Sequence, residues 1–111
     1  MKIGFDAKRA VQNFTGLGNY SRFVINNLAR LYPDNSYKLF CPKQPKDTSE
    51  IAKNSNISFF IKQGFKPLWR TFGITKDIRK EKIHLYHGLS NELPYMVNRT
   101  GAKSVVTIHD L

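Results

Sequence analysis

The chain carries a single cysteine, Cys41, among its 111 residues. One thiol can neither close an internal disulfide nor build a thiolate cage for zinc, so a disulfide scaffold and a cysteine metal centre are both excluded. The three histidines, at positions 84, 87 and 109, show no metal-binding spacing, and no metal site is expected. Long apolar runs are missing as well. No stretch approaches the roughly 18 apolar residues a membrane-spanning helix needs, and the amino-terminal MKIGFDAKRA lacks the apolar centre of a signal peptide. The expected location is the cytoplasm, with peripheral contact at the inner face of the membrane left open. Acidic residues are scarce, 8 against 18 Lys and Arg, for a formal charge of +10. That surplus favours anionic partners and says little about fold. Two familiar phosphate loops are also absent. There is no G-x-x-x-x-G-K-[ST], and the glycines of NFTGLGNY are followed by Ser21 where a dinucleotide fingerprint needs its third glycine.

What is present is an alternation of short apolar runs with helical stretches. Ile3 to Phe5, Tyr37 to Phe40, Ile57 to Ile61, Ile83 to Tyr86 and Val105 to Ile108 are strand-sized and rich in branched or aromatic residues. The clearest helix follows the glycines. Tyr20, Phe23, Val24, Leu28 and Leu31 fall on one face, Arg22, Asn26, Asn27 and Arg30 mostly on the other, with Thr15 as cap and Pro33 as stop. A weaker helix is expected near Asp47 to Lys53 and a third from about Leu68 to Lys82. The stretch between Ile83 and Val105 is expected to be mostly loop, broken by Gly88, Pro94 and Gly101. Strands alternating with helices predict an α/β fold, a Rossmann-like doubly wound parallel sheet covered on both faces.

Open parallel sheets bind ligands outside the carboxyl ends of their strands. With strand order 3-2-1-4-5, three groups would meet there: the Gly16-Leu17-Gly18 turn after strand one, His87-Gly88 after strand four, and His109-Asp110 after strand five. Each has two readings. The glycine turn either offers backbone N–H groups to a phosphate or sugar hydroxyl or only lets loop and helix pack closely. His109 and Asp110 are either a ligand-binding imidazole with its orienting carboxylate or a polar strand end, and His87 is similarly open. His84, inside the fourth run, reads as structural. No serine or cysteine can be tied to a histidine by spacing, so nucleophilic catalysis has no support.

Residues 62 to 82 hold seven basic and two acidic side chains, interleaved with Phe65, Leu68, Trp69 and Phe72. This is either a basic amphipathic surface for anionic lipid or a solvated helix whose aromatics face the core. Nucleic acid is not expected, because no binding motif accompanies the charge.

Taken in order, MKIGFDAKRA, TGLGNYSRFVINNLARLYP, YHGLSNELP and VVTIHDL resemble the start of a family-4 retaining glycosyltransferase of mannosyltransferase-like type. TGLGNYSR and VVTIHDL are the specific parts. The resemblance implies a GT-B architecture, two Rossmann-like domains across a cleft, with sugar transfer from a nucleotide-sugar to a saccharide or lipid-linked acceptor. The nucleotide-sugar is a substrate; no cofactor and no metal are implied. Charge on the leaving diphosphate would be stabilised by basic side chains and backbone N–H groups. Carried onto this chain, Gly16 and Gly18 would approach the donor diphosphate or the acceptor. His109 would contact the transferred sugar near its reacting carbon, Asp110 would support the loop that carries it, and His87 would line the cleft. The family's basic clamp and its E-x7-E pair belong to the carboxyl-terminal domain and do not occur in this sequence. Residues 1 to 111 are therefore expected to be part of the acceptor-side domain, inactive alone, with an exposed sheet edge that favours self-association. The alternative is a non-catalytic α/β module that binds a phosphorylated ligand or an anionic membrane surface.

Overall fold

A computed structural model describes residues 1–12, 16–42, 44–45, 47–61, 73–91 and 93–109. Five strands form one all-parallel sheet: β1 (Lys2–Asp6), β2 (Ser36–Cys41), β3 (Ile57–Ile61), β4 (Leu85–Gly88) and β5 (Lys103–Val106), in the order β3-β2-β1-β4-β5. This is the expected α/β, Rossmann-like arrangement. Helices α1 (Lys8–Gln12) and α2 (Gly16–Leu31) follow β1, and α3 (Ile74–Lys80) precedes β4. A short 3-10 helix, Val97–Arg99, leads into β5.

Strand alternation divides the core in two. Ile3, Phe5, Tyr37, Leu39 and Cys41 point to the layer of α1 and α2, where they meet Ala10, Val11, Ile25 and Ala29. Phe40 and Tyr86 point the other way, onto Ile74, Ile78, Ile83, Val97 and Ala102. Alternation puts position 4 on that second face, and glycine fits there where a side chain would not: a Cβ would stand 2.9 Å from the Phe40 ring and 3.2 Å from that of Tyr86. Burial pushes the Cys41 thiol up to about 12, helped by the negative charge of Asp6, so this cysteine is inert.

Several local expectations are corrected. β1 is followed almost at once by the short helix α1, which the sequence did not mark. Asp6 Oδ1 accepts the Lys8 backbone N–H at 3.2 Å and starts α1. Residues 47–53 form a turn instead of a helix. The side-chain amide of Asn26 bonds Glu50 O and Ala52 N, both at 2.9 Å, so α2 pins this segment in place of an internal helical ladder. Ile51 plugs the core beneath it. The inward face of α2 also differs. Gly18, Ser21, Arg22, Ile25 and Ala29 are buried, while Phe23 and Leu31 are exposed. Small residues let α2 lie close to its neighbours. Arg22 is buried because its Nη1 donates to Ala10 O at 3.0 Å, at the carbonyl end of α1. Thr15, expected as a helix cap, and residues 68–72 of the expected third helix lie outside the described residues. That helix is seen from Ile74 and stops at Lys80, where Lys82 takes a left-handed conformation with φ of 56°.

Candidate functional site

The site lies where β1, β4 and β5 end together. β4 runs two residues later than its apolar run suggests, so His87 is a residue of the strand and does not follow it. It is placed opposite Phe5 of β1 and Val105 of β5 by the parallel register. Its ring lies 5.6 Å from that of Phe5, centroid to centroid. β5 starts earlier than expected and ends at Val106, which releases Thr107 and His109 into the loop beyond.

Thr107 is the hub. Its Oγ1 shares a hydrogen bond with His87 Nε2 at 2.7 Å and another with the Tyr20 hydroxyl at 3.3 Å. Its backbone N–H donates to Gly88 O and its carbonyl accepts from Asn91 N, both at 2.9 Å. Asn91 has a φ of 66°, a left-handed conformation that asparagine tolerates better than most residues. In that pose its Oδ1 accepts the His109 backbone N–H at 2.7 Å. The His109 imidazole is fixed from two sides. Tyr20 packs edge-on against it at 5.1 Å, and His109 Nε2 contacts Leu89 O at 2.8 Å. A carbonyl oxygen only accepts, so the proton is on Nε2. In the neutral ring Nδ1 is then left as an acceptor, and it has no partner among the described residues. The site thus offers an acceptor nitrogen beside two hydroxyl groups.

Two expected groups, His87 and His109, are therefore brought together, linked through Thr107, Asn91 and Leu89. The glycine group is different in kind. Gly16 and Gly18 form the first turn of α2 and are not a turn before it. Their N–H groups are among the four at a helix start that lack an intrahelical acceptor. Gly18 is buried, whereas Gly16 is exposed and a Cβ there would meet nothing within 4 Å. Close packing does not explain a glycine at position 16. One turn on, Tyr20 is the residue by which α2 joins the cluster. Asp110 lies outside the described residues. His84, expected inside β4, precedes it. It is exposed and accepts the Lys2 backbone N–H on Nδ1 at 2.8 Å, a structural role at the opposite edge of the sheet. Among the described residues no group of three or more His, Cys, Asp or Glu could hold a metal. Tyr20, Asn91 and Thr107 were not singled out by sequence: Tyr20 reads as core, and the other two as generic loop and strand residues.

Burial lowers the pKa of His87, so the folded state favours its neutral form. The sign follows. Because the folded value lies below the unfolded value of about 6.5, this contribution to stability is complete above the unfolded value. It is lost as pH falls toward the folded value. Urea unfolding at about pH 7.5 and about pH 5 should show wild type losing stability on acidification. His87→Gln, which can still bond Thr107 but does not titrate, should lose less. Equal losses in the two proteins would remove His87 as the cause.

Compared with known proteins, the chain matches no family model, no curated protein and no solved structure.

Proposed function

We propose that the chain is an acceptor-side, Rossmann-like portion of a retaining GT-B glycosyltransferase, similar to family 4. The full protein would move a sugar from a nucleotide-sugar donor to a saccharide or lipid-linked acceptor. The observation that carries this reading is the convergence of Tyr20, His87, Thr107 and His109 at the carboxyl edge of the parallel sheet, where open α/β sheets bind ligands. The chemistry supports a neutral, hydroxyl-rich ligand. A sugar hydroxyl can donate to His109 Nδ1, and burial favours an uncharged His87. In this reading the N–H groups of the first turn of α2 serve the diphosphate or the acceptor, and Asp110 supports the loop of His109.

The test is NMR titration of the chain with nucleotide-sugars, free saccharides and inorganic phosphate, following the His87 and His109 imidazoles. Saccharide or nucleotide-sugar should shift His109 first. Gly16→Ala should leave the fold intact, gaining about 0.5 kcal/mol from the lower flexibility of the unfolded chain, while weakening nucleotide-sugar binding. A response to phosphate alone, with none to sugars, would replace this reading with that of a phosphate-binding module.

A further inference from the structure

Among the described residues the second face of the sheet carries a concentration of positive charge. α3 turns Ile74, Asp77 and Ile78 into the core. Lys76, Arg79 and Lys80 are left on its outer side, and Lys82 is exposed in the turn that follows. Arg79 Nη2 donates to Arg99 O at 2.9 Å, which sets the exposed Arg99 beside this helix. A bond to a carbonyl does not cancel the guanidinium charge. The acidic residues of α3 and its following turn are fewer: Asp77 is turned inward at 5% exposure and Glu81 is held by Lys38 at 3.0 Å, against Lys76, Arg79, Lys80, Lys82 and Arg99. Tyr95 borders the patch. Its carbonyl accepts from Thr75 Oγ1 at 2.5 Å, and the residue is 57% exposed.

We propose that this face, formed by Lys76, Arg79, Lys80, Lys82 and Arg99 with Tyr95 at its border, docks on an anionic lipid surface. Cations near such a surface contribute additively and without base-specific geometry, and tyrosine favours the headgroup level. Nucleic acid fits less well. No nucleic-acid-binding motif accompanies the charge in the sequence. Among the described residues no helix is long and apolar enough to cross a membrane. Lys80 and Lys82 lie toward the amino edge of β4, and the Thr107 cluster at its carboxyl edge. The docking does not depend on the glycosyltransferase reading.

Sedimentation of the full chain with phosphatidylcholine vesicles, with and without phosphatidylglycerol, tests this. Binding should require phosphatidylglycerol and weaken with added salt. Each cation near the surface accounts for about a fivefold change in affinity. The triple variant Lys76→Ala, Lys80→Ala, Lys82→Asn should therefore lose on the order of a hundredfold; asparagine is chosen at 82 because it accepts the left-handed conformation. A control of equal charge loss, Arg30→Ala, Lys53→Ala, Lys103→Ala, removes cations away from α3 and should bind within a few-fold of wild type. Any of three results would overturn the proposal: equal binding to neutral vesicles, equal loss in the two triple variants, or no loss in the first. Displacement from vesicles by single-stranded RNA at a lower phosphate concentration would reassign the face to nucleic acid.

Discussion

Phe5→Ala is expected to cost about 3–5 kcal/mol, enough to leave a domain of ordinary stability marginal. Phe5 has no exposed surface and sits on the central strand of the sheet. Its ring stacks on Tyr37 at 6.3 Å and tilts against His87 at 5.6 Å. Strands on both sides of β1 hold the backbone, so the surroundings have little room to close over the void, and the cavity adds to the lost transfer energy. Phe5→Leu keeps most of the volume and should cost less than about 1.5 kcal/mol. Urea unfolding followed by circular dichroism would separate the two variants. A loss below about 1 kcal/mol for the alanine variant would mean that the centre of the sheet repacks freely. The substitution also removes the ring behind His87, so the acid sensitivity of stability assigned to His87 should weaken in whatever Phe5→Ala protein remains folded.

The strands could be located from sequence because buried parallel strands announce themselves as continuous apolar runs; their order is assumed as the common one for such sheets, and the sheet has it. Strand ends could not be read so well. Ile83 is apolar yet precedes β4, since it plugs the core under the end of α3, its N–H bonded to Ile78 O. Ile108 is apolar yet 53% exposed, beyond the end of β5. Apolar character marked both for a strand, but the hydrogen-bond ladder excludes both. The face of α2 was misread for a related reason. Arg22 is assigned to solvent by its charge and to the interior by the carbonyl of Ala10, a partner twelve residues away. At the site, His87 and His109 stood out because histidines at strand ends are uncommon chemistry. Thr107 and Asn91 did not. Their roles depend on a hydroxyl shared between α2 and β4 and on one left-handed backbone conformation, which only the assembled fold defines. For Gly16, sequence left packing and ligand binding equally open, and the empty space around it weighs against packing.

On the proposed glycosyltransferase reading, in which Nδ1 acts on charge or hydroxyl groups at the reacting carbon, His109→Ala is expected to reduce sugar transfer about a hundredfold or more. The assay is transfer of labelled sugar from a nucleotide-sugar by protein isolated from its own source. In that reading loss of this ring removes a ligand contact, whereas loss of Thr107 would act through other residues. Thr107→Val keeps the shape but strips the hydroxyl from His87 and Tyr20. It leaves a partly buried imidazole nitrogen without its partner, a cost of about 1–3 kcal/mol in stability. The two variants should separate in what restores them. His109→Ala should lose turnover, and some stability as well, because the carbonyl of the buried Leu89 loses its donor. Thr107→Val should lose stability, with turnover partly restored in Thr107→Ser, where the hydroxyl returns. If His109→Ala keeps full turnover while Thr107→Val does not, the imidazole is only a strap between the loops after β4 and β5. The ligand would then be sought at the first turn of α2.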